Sequence, residues 1–305
     1  MKMMASNLRR ISLKTNKALL VVGIVALLTA CATPQDMQSA KARDGGMISK
    51  SHTVVFIHGM FMTPLCWERW ERHFQDQGYK VLAPAWPEHD QPVPMQRQSH
   101  PNPRLGALTL TDVLQHYREV IRGLDEPPIL IGHSMGGLIV QLLLQEGLGA
   151  AGIAIDSAPP KGVISLKWSF LKSNWPAISP SARIEEPIDM SFGAFQYAFV
   201  NTLPVDAQRA AYDRYVVPES RRVGKGPTTD AAVIDFSKAR PPLLMIAGSE
   251  DHIIPASLNR SNYHKYDKSP ATTEFREFPG RSHWIIAQDG WEEVANYVLE
   301  WIHKK

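Results

Sequence analysis

The chain is short of cysteine: among 305 residues only Cys31 and Cys66 occur. A framework of several disulfides is therefore excluded, and the fold must rest on an apolar core. It has no H-E-x-x-H or comparable cluster, so nothing in it calls for a bound metal, and no cofactor motif is present. Internal repeats and low-complexity tracts are absent, which excludes a solenoid or a collagen-like rod. No apolar run reaches the roughly 20 residues that a membrane span needs. The longest runs from Ala18 to Leu28. Residues 1–30 contain no acid, and their five basic residues are Lys2, Arg9, Arg10, Lys14 and Lys17. Subtracting those five charges from the formal +3 leaves −2 for the remainder. A slightly acidic domain offers no argument for a nucleic-acid partner.

What is present begins with an export pattern: basic residues, a short apolar run, then small residues. The run closes on Leu28-Thr29-Ala30-Cys31, which resembles the lipobox of bacterial lipoproteins. The resemblance implies cleavage before Cys31, acylation of Cys31, and a membrane-anchored protein facing the periplasm or cell exterior. Ala30-Cys31-Ala32 also fits an ordinary A-x-A cleavage site, which would release a free exported protein. A retained anchor is the third reading, and Arg9-Arg10 faintly resembles a twin-arginine signal. On this reading residues 1–30 are a signal peptide and 31–52 a polar, lipidated tether. Cys66 lies in a Trp-rich amphipathic segment and reads as a small core side chain.

From Thr53 onward the pattern alternates. Thr53 to Ile57 is a continuous apolar run of the buried parallel-strand type. A helix is expected over about 64–77, with Gly78 as its stop, then a strand from Tyr79 to Pro84. The stretch 86–103 is rich in Pro, Gln and His and reads as an excursion. Thr111-Asp112 is expected to open a helix reaching about Leu124. Further strands are expected over 128–131, 152–156, 242–247 and 273–278, and a last helix over about 288–302. Residues 162–238 break the rhythm with Trp168, Phe170, Trp175, Phe192, Phe195 and Phe199, and read as an inserted helical cap. Strands alternating with helices imply an α/β fold, a mostly parallel doubly wound sheet, over residues 53–303. Active sites of such sheets form at the carboxyl ends of strands.

Three segments at such ends carry chemistry. Gly132-His133-Ser134-Met135-Gly136 reads G-x-S-x-G between a strand and a helix. That turn lifts the Ser134 hydroxyl above the sheet and sets it at a helix amino end. A serine hydroxyl needs a base. His283, after the last strand, is the best placed of eleven histidines. His133 reads as packing, and His58 as a residue that fixes the first loop. The carboxylate that orients the base is Asp251, following the strand at 242–247 by a glycine turn. Glu250 and Asp156 are its rivals, Asp156 because it too ends a strand. An oxyanion needs two backbone donors. The Met135 amide is one, and the other comes from His58-Gly59-Met60-Phe61, with Met60 first choice and Phe61 second. Phe61, Met62, Trp168 and Trp284 are expected to line the substrate pocket.

His58-Gly59, the G-x-S-x-G turn, Gly248-Ser249-Glu250-Asp251 and Ser282-His283 occur in the order of the α/β-hydrolase fold superfamily. The chain resembles its capped esterases, lipases and non-haem chloroperoxidases over about residues 53–303. The resemblance implies ester hydrolysis through an acyl-enzyme on Ser134, with a small-molecule acyl substrate. Thioester, lactone or carbon–carbon cleavage and metal-free peracid formation use the same constellation, and a non-catalytic binding lipoprotein is the reading from another class. The aromatic cap favours an apolar acyl or aryl substrate. Many members begin with an antiparallel hairpin. Residues 32–52 are too short and polar for one, so one or two edge strands are expected to be missing.

Overall fold

Residues 51–179 and 182–305 are described in a computed structural model of the chain. The expected signal peptide, Cys31 and nearly all of the tether lie outside the described residues. Six strands form one wholly parallel sheet in the order β2-β1-β3-β4-β5-β6. They are β1 (Thr53–Ile57), β2 (Lys80–Leu82), β3 (Ile129–His133), β4 (Ala151–Ile155), β5 (Leu243–Gly248) and β6 (Thr273–Phe278). The expectation that no antiparallel hairpin precedes β1 concerns residues that lie, but for 51 and 52, outside the described residues.

The four inner strands are buried along their whole length. That is why they read as unbroken apolar runs rather than as alternation. The edges differ. β2 has only three residues, and β6 carries Glu274, Arg276 and Glu277, which discourages pairing with another chain.

The helices follow the sequence with local shifts. The expected helix at 64–77 opens as a 3₁₀ turn, Pro64–Trp67, capped by Thr63, and continues as α1 (Glu68–Asp76). Cys66 lies buried in that turn, and burial pushes its thiol pKa up, so it is an inert core side chain. The 86–103 excursion winds into α2 (Val93–Gln98) and, just beyond it, α3 (Pro103–Ala107). The next helix, α4 (Leu110–Arg122), is capped by Thr109, two residues before the expected opening. Thr109 Oγ1 accepts the Asp112 amide, and Asp112 accepts the Thr109 amide at 2.9 Å. This reciprocal box satisfies two orphan donors and outcompetes the weaker cap at Thr111.

After β3 comes α5 (Met135–Gln145), apolar almost all round and buried through Leu144. The crossover from β4 to β5 spans the expected cap. It carries α6 (Trp168–Ile178), α7 (Phe192–Ala198), α8 (Val205–Tyr215) and α9 (Arg221–Lys225). α10 (Ala256–Tyr263) and α11 (Trp291–His303) complete the chain, α11 starting after Gly290 at φ 79°. Among the described residues no helix is long and apolar enough to cross a membrane.

The strand order reverses direction at β1, which has β2 on one side and β3 on the other. Ile57 pairs with Gly132, so the loops leaving β1 and β3 emerge side by side at the carboxyl end of the sheet. A crevice at such a reversal is where open α/β sheets hold ligands.

Candidate active site

The turn after β3 places Ser134 at φ 57° and ψ −120°. A side chain in that region costs about 1–3 kcal/mol. The backbone around it is fixed on both sides. The Ser134 amide donates to the Ile155 carbonyl at 2.9 Å, and its carbonyl accepts from the Ala158 amide at 2.9 Å. The flanking glycines are steric necessities. A Cβ on Gly132 would meet the carbonyl of Gly136, and one on Gly136 would meet the carbonyl of Ile57. The Met135 amide opens α5, where the first N–H groups lack helical partners. It makes no hydrogen bond to the described residues, and neither does the Met60 amide.

Ser134 opens into a cavity of about 770 Å³. Met60, Phe61, Met135, Ile253 and Ile254 line it from the sheet domain. Phe170, Ile188, Met190, Tyr197 and Phe199 line it from the cap. The walls are mostly apolar, with Lys161, Lys172 and Asp189 among the exceptions. Of the expected pocket residues Phe61 belongs to this lining, whereas Met62, Trp168 and Trp284 do not. Met62 is fully buried in the core. Trp168 heads α6 with 74% of its surface exposed. Trp284 is 2% exposed and packs against Phe195 and Tyr215. Its backbone, not its ring, serves the site, because its amide donates to the Phe199 carbonyl at 3.0 Å.

His283 and Asp251 form a buried pair. His283 Nδ1 donates to Asp251 Oδ2 at 2.6 Å. Asp251 Oδ1 accepts the Ile253 and Ile254 amides, each at 2.8 Å, which fixes the carboxylate. The His283 ring is held between His133, 4.5 Å between centroids, and Phe199 at 4.9 Å. Burial lowers the His283 pKa to about 3, so the ring is neutral and Nε2 keeps its lone pair. Nε2 has no hydrogen-bond partner, the Ser134 hydroxyl included. Catalytic hydrogen bonds commonly close only when substrate is bound. His133 Nε2 donates to the His283 carbonyl at 2.8 Å, so this histidine packs directly against His283.

Asp156, the rival carboxylate, belongs to the same buried cluster. Its Oδ1 accepts the Gly248 amide at 2.7 Å, and Asp251 rather than Asp156 is bonded to His283. Burial raises the pKa of Asp156, and the neighbouring Asp251 charge raises it further, so Asp156 favours its neutral form. Glu250 is exposed, as its position suggested. His133, Asp156 and His283 offer ligand atoms within 4.8 Å of one another, the one such group among the described residues.

The loop after β1 is held from two sides. His58 Nδ1 donates to the Gly59 carbonyl at 2.9 Å, and its Nε2 accepts the Trp86 amide at 3.2 Å. Burial, with His89 nearby, keeps His58 neutral, so it fixes the loop as its position suggested. Phe61 differs from expectation. Its amide donates to Glu219 Oε2 at 3.1 Å, so the second-choice oxyanion donor is already engaged. Glu219 and its neighbour His89 were not legible in the sequence. Neither lies in a motif, and Glu219 is 158 residues from Phe61.

The profile of the Alpha/beta hydrolase family matches residues 54–297. The chain belongs to that family. Among curated proteins no sequence matches it. Solved structures of the same fold are similar at low identity. A monoacylglycerol lipase of Paleococcus ferrophilus is 19% identical, with TM-score 0.58 over 82% of this chain and 93% of that one. An extracellular α/β-hydrolase of a Paenibacillus species is 21% identical, with TM-score 0.61 over 81% and 98%. A pyrethroid hydrolase of Sphingobium faniae is 15% identical, with TM-score 0.60 over 82% and 97%. At these identities the likeness extends to the fold alone. The family and its esterase and lipase neighbours support a hydrolase.

Proposed function

We propose that the chain is a serine hydrolase of carboxylic esters, with Ser134 as nucleophile. His283 Nε2 takes the hydroxyl proton as Ser134 Oγ attacks the carbonyl carbon. Asp251 holds the tautomer that leaves Nε2 free and stabilises the imidazolium. The Met60 and Met135 amides receive the oxyanion, each contributing about 3–4 kcal/mol to the transition state. His283 then protonates the leaving alkoxide and later activates the water that cleaves the acyl-enzyme. The observation that carries this reading is the strained Ser134 on the cavity wall together with a buried His283–Asp251 pair whose imidazole packs on His133, the residue before Ser134, and on Phe199, which lines the same cavity.

The cavity walls favour an uncharged, apolar acyl or aryl group over a sugar or a charged acid. The test is Ser134→Ala on p-nitrophenyl esters from acetate to decanoate, together with fluorophosphonate labelling. Turnover should vanish, and labelling of the unmodified chain should map to Ser134. Undiminished turnover by Ser134→Ala would refute the mechanism.

We also propose that residues 1–30 direct export and that acylated Cys31 anchors residues 53–303 to a membrane. The sequence order of basic, apolar and small residues before Cys31 supports this. Several acyl chains on one residue hold firmly, at about 0.8 kcal/mol for each buried CH₂. Cys31→Ser should move the protein from the membrane fraction to the soluble one.

A further inference from the structure

Phe61 sits at φ 64°, a left-handed conformation that phenylalanine rarely adopts. Two hydrogen bonds hold it there, and both come from the cap. The Val217 amide donates to the Phe61 carbonyl at 3.0 Å, and the Phe61 amide donates to Glu219 Oε2 at 3.1 Å. Glu219 is fully buried, and its Oε1 accepts the Ser220 amide at 2.6 Å. Its backbone makes two bonds to Ile188, at 2.7 and 2.9 Å, and Ile188 lines the cavity.

A buried carboxylate needs a counter-charge. His89 Nε2 lies 3.3 Å from Glu219 Oε2, with both side chains out of solvent. The other ring nitrogen, Nδ1, faces the Pro87 carbonyl at 3.2 Å. Nδ1 therefore has an acceptor, while Nε2 approaches the carboxylate at ion-pair distance without completing a hydrogen bond, a setting that suits a charge on the ring. Burial opposes that charge, but Glu219 outweighs it and raises the His89 pKa. The residue before Phe61 is Met60, whose free amide faces no protein acceptor.

We propose that Glu219, backed by His89, is a positioning residue: from the cap it clamps the Phe61 amide so that the adjacent Met60 amide stays aimed at the reacting carbonyl. The cap thereby does more than enclose substrate. Its seating on the β1 loop sets the geometry of hydrolysis, so this inference rests on the ester-hydrolase reading.

The experiment compares Glu219→Ala and Glu219→Gln with the unmodified full chain. Three quantities are read: kcat and KM on p-nitrophenyl butyrate, melting temperature, and amide hydrogen exchange at Phe61. For Glu219→Ala, assayed well below its melting temperature, kcat should fall about 100-fold with KM within about twofold, as for a misaimed donor. Phe61 exchange should quicken at least about tenfold as its acceptor is lost. Glu219→Gln keeps an oxygen acceptor but loses the charge, so kcat should fall only about 3- to 10-fold. Unchanged Phe61 exchange in Glu219→Ala would overturn the clamp. Faster exchange with unchanged kcat would overturn the positioning role and leave Glu219 a core residue. If Glu219→Ala does not fold, Glu219→Gln decides, and an unchanged kcat overturns the proposal. Failure of the ester-hydrolase reading would appear separately, as an unmodified chain without turnover, and the exchange result would still decide the clamp.

Discussion

Asp156 accepts the Gly248 amide at 2.7 Å and so ties the end of β4 to the turn that presents Asp251. Two carboxyl groups share this buried space, and only one of them needs to be ionised. Asparagine imitates a neutral carboxylic acid, with one oxygen acceptor and one donor group. Asp156→Asn should therefore keep ester turnover within about threefold of the parent, whereas Asp156→Ala leaves the Gly248 amide unpaired and should cost about 1–3 kcal/mol. Thermal or urea unfolding of both variants checks the stability, and p-nitrophenyl ester assays check the turnover.

Asp251→Asn acts differently, because the amide can present its NH₂ to His283 and favour the wrong tautomer. The expected fall in kcat is about 10³- to 10⁴-fold, by analogy with other triads. Steady-state kinetics at pH 8 measures it. A fall of less than tenfold would mean that Asp156 substitutes for Asp251.

Burial lowers the His283 pKa below the ordinary 6.5. In the proposed mechanism His283 works as a base in its neutral form, so activity should be present above the lowered pKa and lost as pH falls through it. The acid limb of kcat/KM is thus expected below pH 6.5. A pH–rate profile between 4 and 9 tests this: with the pKa lowered to about 3, no limb centred near 6.5 should appear. A limb above 6.5 would mean that the Asp251 charge, rather than burial, governs the ring.

The two tryptophans expected in the pocket should separate cleanly. Trp168 is 74% exposed, so Trp168→Ala should change stability and short-ester turnover little, within about 0.5 kcal/mol. Trp284 is packed against Phe195 and Tyr215, and Trp284→Ala should cost about 3–5 kcal/mol. Melting curves for the pair distinguish a surface ring from a core ring.

Ser134 holds an unfavourable φ of 57° that glycine tolerates without penalty. Ser134→Gly should therefore be more stable than Ser134→Ala by about 1 kcal/mol, both being inactive. Paired denaturant titrations test the difference, and equal midpoints would show that the turn is not strained.

Much of this was legible because it follows from local rules. The apolar run Thr53–Ile57 and the strand Thr273–Phe278 have their structural ends where the pattern puts them. Ser134, Asp251 and His283 each stand in a short motif at a strand end, and the sheet brings those ends together. The misplaced start of α4 was also local, since Thr109 wins by a reciprocal bond that Thr111 lacks. Other features depend on distant contacts. Whether an aromatic residue faces the cavity depends on how the cap settles, and so Trp168 and Trp284 could not be told from Phe170 and Phe199. Glu219 and His89 find each other only after the cap folds onto the β1 loop, and one acid and one histidine leave no periodic trace.

The pairing of Ile57 with Gly132 has an evolutionary corollary. The loop after β1 and the Ser134 turn leave adjacent strands, while the cap enters through a different connection, between β4 and β5. Insertions or replacements in that connection lengthen the chain between Ser134 and Asp251 without moving either strand end. Substrate range can therefore drift by exchange of one segment, provided that the newcomer still brings an acceptor to the amide of Phe61.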